Sequence, residues 1–263
     1  MKKNKTLFCI LISFIIIITT GCIGFSDPIS RGISRGIGRA VSERAENEAY
    51  RRTAPKEKLP PPRSANWGNF MAMQARIVFT YAFSAGGLWL GKVDYTPGEW
   101  AKFEINTDSN DILEMERAFL KVDEKGNVWW RISWIEGEDT WLYETLISPS
   151  GSLLRLRAKD ADGNEGEIPV SGEQIYYPPQ EVTKESIEGA TVGKASLKTK
   201  AGVFNCDHVV YMAVYGQGNV EWWISTEIPG GIAQYQIVDK GEVLWKCTVI
   251  AKGKGATTVL GSF

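Results

Sequence analysis

From Met71 to Phe83 the apolar residues Met71, Met73, Ala75, Ile77, Phe79, Tyr81 and Phe83 fall on odd positions, with Gln74, Arg76, Thr80 and Ser84 between or after them. A period of two is the mark of a strand. Ala85-Gly86-Gly87 turns the chain, Leu88 to Tyr95 returns, and Pro97-Gly98 leads into an alternating Trp100 to Ile105. A meander follows: Met115 to Val122, Val128 to Ile135, Thr140 to Ile147 and Leu153 to Ala158, separated by Lys125-Gly126-Asn127, Glu136-Gly137-Glu138-Asp139 and Pro149-Ser150-Gly151. The same style recurs in Lys194 to Thr199, Val203 to Val214, Val220 to Ser225, Ile232 to Val238 and Val243 to Ile250. Turn residues roughly every 8 to 12 positions predict a mainly β domain over 64–263, built as a single curved antiparallel sheet, a half barrel or barrel-like. No amphipathic helix longer than three turns stands out after residue 64.

Before that domain the period changes. Ile29, Ile33, Ile37 and Val41 recur every four residues, as do Arg31, Arg35 and Arg39 on another face, which predicts a short amphipathic helix over 30–50. Gly32, Gly36 and Gly38 each weaken it by about 1 kcal/mol relative to alanine, so it needs a surface to lie on. A membrane interface is one such surface, and packing between copies through Gly32, Gly36 and Ala40 is another. A solvated spacer with helical tendency fits the same residues. Pro55 and Pro60-Pro61-Pro62 end the helix and predict an extended linker up to Arg63.

At the start, three lysines within Met1 to Lys5 precede an apolar run from Leu7 to Ile18, too short for the roughly 20 residues of a membrane-spanning helix. Thr19-Thr20-Gly21-Cys22 closes it. The segment resembles the signal of bacterial lipoproteins, with Thr19 where that family usually has leucine. The resemblance implies removal of residues 1–21, attachment of lipid such as palmitate at Cys22, and a mature chain in the cell envelope facing the periplasm. Ile23 stands where some bacteria place the aspartate that retains lipoproteins in the inner membrane, which implies the outer one. An ordinary signal peptide cut near Gly21 is the alternative.

Charge adds a direction to this layout. The net charge of −1 conceals +3 in the first five residues, −1 at Asp27, +5 over residues 31–63 and −8 over 64–263, so the tether is drawn to anionic headgroups and the domain is repelled by them. An acidic domain with its basic stretch beside the anchor disfavours nucleic acid as a partner. With Cys9 in the signal and Cys22 lipidated, Cys206 and Cys247 remain, and an exported compartment permits a disulfide if their strands are neighbours. Two free buried thiols are the alternative. Cys206 and His208 share a strand face, but a single histidine and no Cys-x-x-Cys pair leave too few ligands for structural zinc. Asp160, Asp162 and Asn164 alternate as in a calcium loop, yet the glycines are misplaced and Ser171 stands where a bidentate Glu belongs, so a hairpin turn is expected and no metal.

Catalytic chemistry finds little to build on. His208 is the sole histidine, in a strand face with Phe204, Cys206, Val210 and Met212, and neither a Gly-x-Ser-x-Gly nor a phosphate-cradling glycine pattern occurs. No cofactor is implied. Carboxylates are plentiful, so a two-carboxylate glycosidase stays open as a minor alternative. Tryptophan is the unusual component. In the pairs Trp129-Trp130 and Trp222-Trp223 adjacent strand residues point to opposite faces, so one ring of each pair meets the core and the other needs a cover, a cavity or a ligand. By strand position the candidate ligand-binding residues are Trp89, Trp130, Trp134, Trp223 and Tyr235.

The segment Ala201-Gly202-Val203-Phe204-Asn205-Cys206, followed by Trp223-Ile224-Ser225 and Pro229-Gly230-Gly231, resembles a pattern in uncharacterised bacterial envelope proteins. Those are similar in turn to the lipoprotein localisation factors. The resemblance, over roughly residues 195–240, implies a curved half barrel whose apolar cavity, plugged by helices, receives acyl chains; long lid helices are not evident here. The expected function is a non-enzymatic, membrane-anchored envelope lipoprotein. Its tryptophan-rich concave surface would bind an apolar or amphipathic ligand, a lipid, or an envelope partner protein. The alternatives are a structural or assembly lipoprotein without a small ligand, and a carbohydrate-active hydrolase.

Overall fold

The computed structural model describes residues 65–83, 88–89, 95–107, 112–170, 180–181, 183–212 and 218–263, all within the unit Ala54–Phe263. The signal, Cys22, the helix expected over 30–50 and the proline-rich linker lie outside the described residues. Helix α1 (Ala65–Phe83) and the two-residue β1 (Leu88–Trp89) come first. Then follow β2 (Trp100–Thr107), β3 (Ile112–Val122), β4 (Val128–Glu136), β5 (Asp139–Ile147), β6 (Leu153–Lys159) and β7 (Glu165–Ile168). The short β8 (Gln180–Glu181) and α2 (Lys184–Ala190) lead to β9 (Thr191–Thr199), β10 (Gly202–Met212), β11 (Asn219–Ile224), β12 (Ile232–Asp239) and β13 (Glu242–Gly253).

Eleven of these strands form one antiparallel sheet in the order β7-β6-β5-β4-β3-β2-β13-β12-β11-β10-β9, while β1 and β8 pair in parallel by themselves. This is the expected mainly β fold with a single curved, unclosed antiparallel sheet. Each half is a meander, and the seam between them is the long pairing of β13 with β2, from Trp245 opposite Thr107 to Gly253 opposite Trp100.

The stretch 71–83, expected as a strand, is the larger, C-terminal part of a 19-residue helix. Met71, Ala75, Val78, Phe79, Ala82 and Phe83 are all buried, at spacings of four, three, one, three and one, which is a helix face. Phe70 and Met73 remain exposed on the other side. The apolar residues satisfied both periods at once, and the helix prevailed because one face of the sheet needed a cover. No helix among the described residues is long and apolar enough to cross a membrane. Of the returning strand expected over 88–95, only Leu88–Trp89 is a strand among the described residues.

The sheet has a cover on each side. On the helix side Tyr143 of β5 meets α1 through Phe79, with ring centroids 5.9 Å apart, and donates its hydroxyl to Gln74 at 2.7 Å. On the opposite side residues 256–263 cross the first-half strands. Glu144, fully buried there, accepts hydrogen bonds from Thr258 Oγ1 (2.7 Å), the Val259 amide (2.5 Å), the Leu260 amide (3.2 Å) and Ser262 Oγ. Arg131 donates to the Thr257 carbonyl at 2.6 Å, and Trp129 meets Phe263 with centroids 5.6 Å apart.

The Asp160 turn is a hairpin connection, as the Asp-Gly-Asn composition led one to expect. Its carboxylate accepts the Asn164 amide (2.7 Å), Asn164 Nδ2 (3.0 Å) and Trp67 Nε1 (2.7 Å), the last tying the first turn of α1 to the sheet. These bonds favour its charged form and hold its carboxyl below the usual range even against the opposing effect of burial.

Candidate functional site

On the helix side, the side chains of five consecutive strands build an aromatic layer against α1. Tyr81 of α1 stacks on Trp245 of β13, with centroids 4.9 Å apart and planes 11° from parallel, and lies 5.6 Å from Trp134 of β4. Phe83, two residues on, meets Trp130 edge-on at 5.4 Å. Trp245 donates its indole N–H to the Tyr235 hydroxyl of β12 at 3.1 Å, so a buried polar atom of each ring is satisfied by the other. Burial pushes the Tyr81 hydroxyl up to about 12 and that of Tyr235 well above its ordinary value.

Arg117 of β3 stands at the end of this layer. Its Nε donates to the Tyr95 hydroxyl at 2.8 Å and its Nη1 to the carbonyl of Ala82, in the last turn of α1. A cation at that position answers the negative end of the helix dipole and one of its unpaired carbonyls. The guanidinium also lies 5.2 Å from the Tyr95 ring centre and 5.9 Å from that of Trp130. Burial raises the Tyr95 hydroxyl and Arg117 opposes it; burial likewise pushes the Cys247 thiol up to about 12, again against Arg117. Gly230 closes the cluster: a Cβ there would sit 2.5 Å from Arg117 Nη2 and 2.5 Å from the Tyr95 hydroxyl.

Of the five residues expected to form one ligand surface, Trp130, Trp134 and Tyr235 are brought together in this layer. Trp223 is not. It stands on the opposite face of β11, where His208 stacks on it at 4.6 Å with planes 12° apart, and its neighbour Trp222 is the fully buried member of the pair. The side chain of Trp89 lies outside the described residues. The layer is also not an open surface, because α1 lies on it. Tyr81, Tyr95, Arg117 and Trp245 belong to it and were not singled out from the sequence. The face-sharing of Tyr235 with Trp245, through the pairing of Tyr235 with Cys247 and Ile237 with Trp245, was the signal that a register would have supplied.

The condition for a disulfide fails. Cys206 lies on β10 and Cys247 on β13, with β11 and β12 between them, and both are free buried thiols. His208 Nε2 lies 3.4 Å from Glu221 Oε2, which also accepts Gln236 Nε2 at 3.0 Å. A histidine between a carboxylate and a stacked indole is held in place by its surroundings. Among the described residues no cluster of three or more His, Cys, Asp or Glu side chains is placed to hold a metal ion.

No protein-family model matches the chain, and no curated protein matches it either. Among solved structures it is similar to MucB, at 11% identity and a TM-score of 0.42 over 66% of this chain and 60% of that one. It is also similar to an exported protein with a YmcC-like fold from Bacteroides fragilis, at 12% identity and a TM-score of 0.35 over 62% of this chain and 98% of that one. A third is the hypothetical protein CT021 of Chlamydia trachomatis, at 10% identity and a TM-score of 0.37, covering 64% and 92% of the two chains. The chain thus spans less than two thirds of the length of MucB.

Proposed function

We propose that this chain is a lipid-anchored protein of the bacterial envelope, without catalytic chemistry of its own, whose β domain binds an amphipathic ligand on the aromatic layer beneath α1. The observation that carries the reading is the helix α1 seated on a wide aromatic face with a half-buried arginine, Arg117, at its end. Trp130, Trp134, Tyr235 and Trp245 offer large apolar area to an acyl chain, and Arg117 offers a cation to an acidic headgroup. In this reading α1 is the plug: it occupies the layer in the unliganded protein and yields it to the ligand. The anchor rests on Cys22 and the preceding apolar run, the tether on the +5 charge of residues 31–63, and periplasmic exposure on the same signal.

The test is quenching of tryptophan emission in the full-length protein by a fatty acid brominated along its chain, added in non-ionic detergent. The expected result is saturable quenching that a non-brominated fatty acid competes away. Absence of quenching at any concentration below micelle saturation ends the acyl reading. In that case the filled layer, with Met71, Val78 and Phe79 fully buried against it, favours a lipoprotein that binds a partner protein or assembles structure without a small ligand. Separately, Cys22→Ala should release the protein from membranes; retention with unchanged salt dependence would remove the lipid anchor.

A further inference from the structure

The second half of the sheet folds its last hairpin over its own face. Phe204 and Cys206 are buried on the even-numbered side of β10, while Val209 is fully buried on the odd-numbered side. The start of β10 and the end of β9 thus pack over the side of β2, β12 and β13 that α1 does not cover. Lys200, at the tip of this hairpin, forms an ion pair with Glu104 of β2. Beside it is a cavity of about 420 Å³, widely open to solvent, whose walls include Glu104, Asn106, Lys198, Lys200, Lys246 and Ile250.

Strand register explains why these side chains converge. Asn106 pairs with Lys246, Glu104 with Thr248, and Thr248 with Gln234, so these side chains share one face of three adjacent strands. Thr248 donates its hydroxyl to Gln234 Oε1 at 3.2 Å, which fixes the floor. The charge here is opposite to that of the domain. Residues 64–263 carry an excess of eight carboxylates, yet the cavity gathers three lysines and one glutamate. Lys200 is matched by Glu104; Lys198 and Lys246 make no ion pair among the described residues. Two like charges facing one cavity repel each other, and in an acidic domain a neighbouring carboxylate would ordinarily neutralise them.

We propose that this cavity is a binding site for a small doubly charged oxyanion of the phosphate-monoester class, with Lys198 and Lys246 as its charge partners and the Asn106 side-chain amide as a hydrogen-bond donor. The volume exceeds that of a bare phosphate and leaves room for a polar organic group beside Ile250. The same headgroup chemistry occurs in a free metabolite and in phosphatidic acid. The site lies on the face away from the aromatic layer and does not depend on the acyl reading.

Isothermal titration of the full-length protein in non-ionic detergent, with glucose 6-phosphate as the soluble probe and phosphatidic acid in mixed micelles as the lipid probe, tests it at constant ionic strength. The expected result is saturable binding that weakens about tenfold in Lys198→Ala and again in Lys246→Ala, as loss of one charge-assisted contact implies. Lys194→Ala, on the same strand but outside the cavity and paired with Asp207, should leave the affinity unchanged. Binding of the soluble ester assigns a free ligand. Binding of phosphatidic acid alone, lost in the same two variants, assigns a headgroup. Saturable binding of neither, or equal loss in Lys194→Ala, overturns the proposal.

Discussion

Glu144→Ala removes one buried carboxylate and with it four acceptor contacts to residues 258–262. The two hydroxyls, of Thr258 and Ser262, can rotate toward other acceptors, but the Val259 and Leu260 amides cannot. Each buried donor left without a partner costs about 1–3 kcal/mol, which gives a loss of about 2–6 kcal/mol if residues 256–263 stay in place. A lower ceiling applies if they do not. Once the penalty exceeds what the burial of Leu260, the Phe263 contact with Trp129 and the Arg131 bond to Thr257 hold together, the segment leaves the sheet, and the total loss stops there. We therefore expect about 3 kcal/mol in urea unfolding, together with faster tryptic cleavage after Lys254 and a red shift of emission as Trp129 meets water. Glu144→Gln keeps an acceptor oxygen and should lose roughly half as much. A loss below about 1 kcal/mol with unchanged cleavage at Lys254 would refute the account of Glu144 as the anchor of this segment.

Three further outcomes follow from particular contacts. Gly230→Ala combines a left-handed backbone, φ 85°, with a Cβ driven against Arg117 and Tyr95, and should lower stability by about 2–4 kcal/mol; Gly137→Ala, at φ 62° with open space around it, should cost about 1–2 kcal/mol, and equal losses would contradict the close packing at Gly230. Stability should hold up to about pH 9 and then fall toward pH 12, because the unfolded chain ionises its Cys247 thiol and Tyr81 hydroxyl before the folded one does. Each such group contributes a slope of about 1.4 kcal/mol per pH unit between its unfolded and folded values, so urea midpoints flat from pH 9 to 11 would be the contrary result. Peptides bearing Cys206 and Cys247 should remain unmodified by iodoacetamide in the native protein and react on unfolding, with no disulfide-linked pair found between them; native alkylation at the rate of an exposed thiol would contradict their burial.

The strands were readable because alternation and turn residues agreed along the chain: β3 to β6 and β9 to β13 fall where the pattern placed them, and the tryptophan pairs split between faces as a period of two requires. α1 was misread for a reason visible in its residues. With apolar side chains at 71, 73, 75, 77, 79, 81 and 83 and also at 78 and 82, both a strand face and a helix face were complete, and only the need to cover the sheet decides between them. The aromatic layer was partly readable, through Trp130, Trp134 and Tyr235. What joins Trp245 to Tyr81 and Trp134 is the pairing of β13 with β2, which brings together residues more than a hundred positions apart and leaves no local trace. Glu144 gave no sign of burial either, since a carboxylate flanked by Tyr143 and Thr145 reads as the solvent side of a strand. What buries it is a segment of irregular chain without periodicity.

The exchange of buried faces along β10 makes the sheet a partition between two compartments of unlike solvent character. One side holds aromatic rings and a helix, the other a polar cavity under a hairpin, and β12 and β13 contribute alternate side chains to both: Tyr235 and Cys247 to one, Gln234 and Thr248 to the other. A backbone shift of either strand toward one compartment is a shift away from the other. A substitution on either face of β12 or β13 is therefore made in a wall that both compartments share.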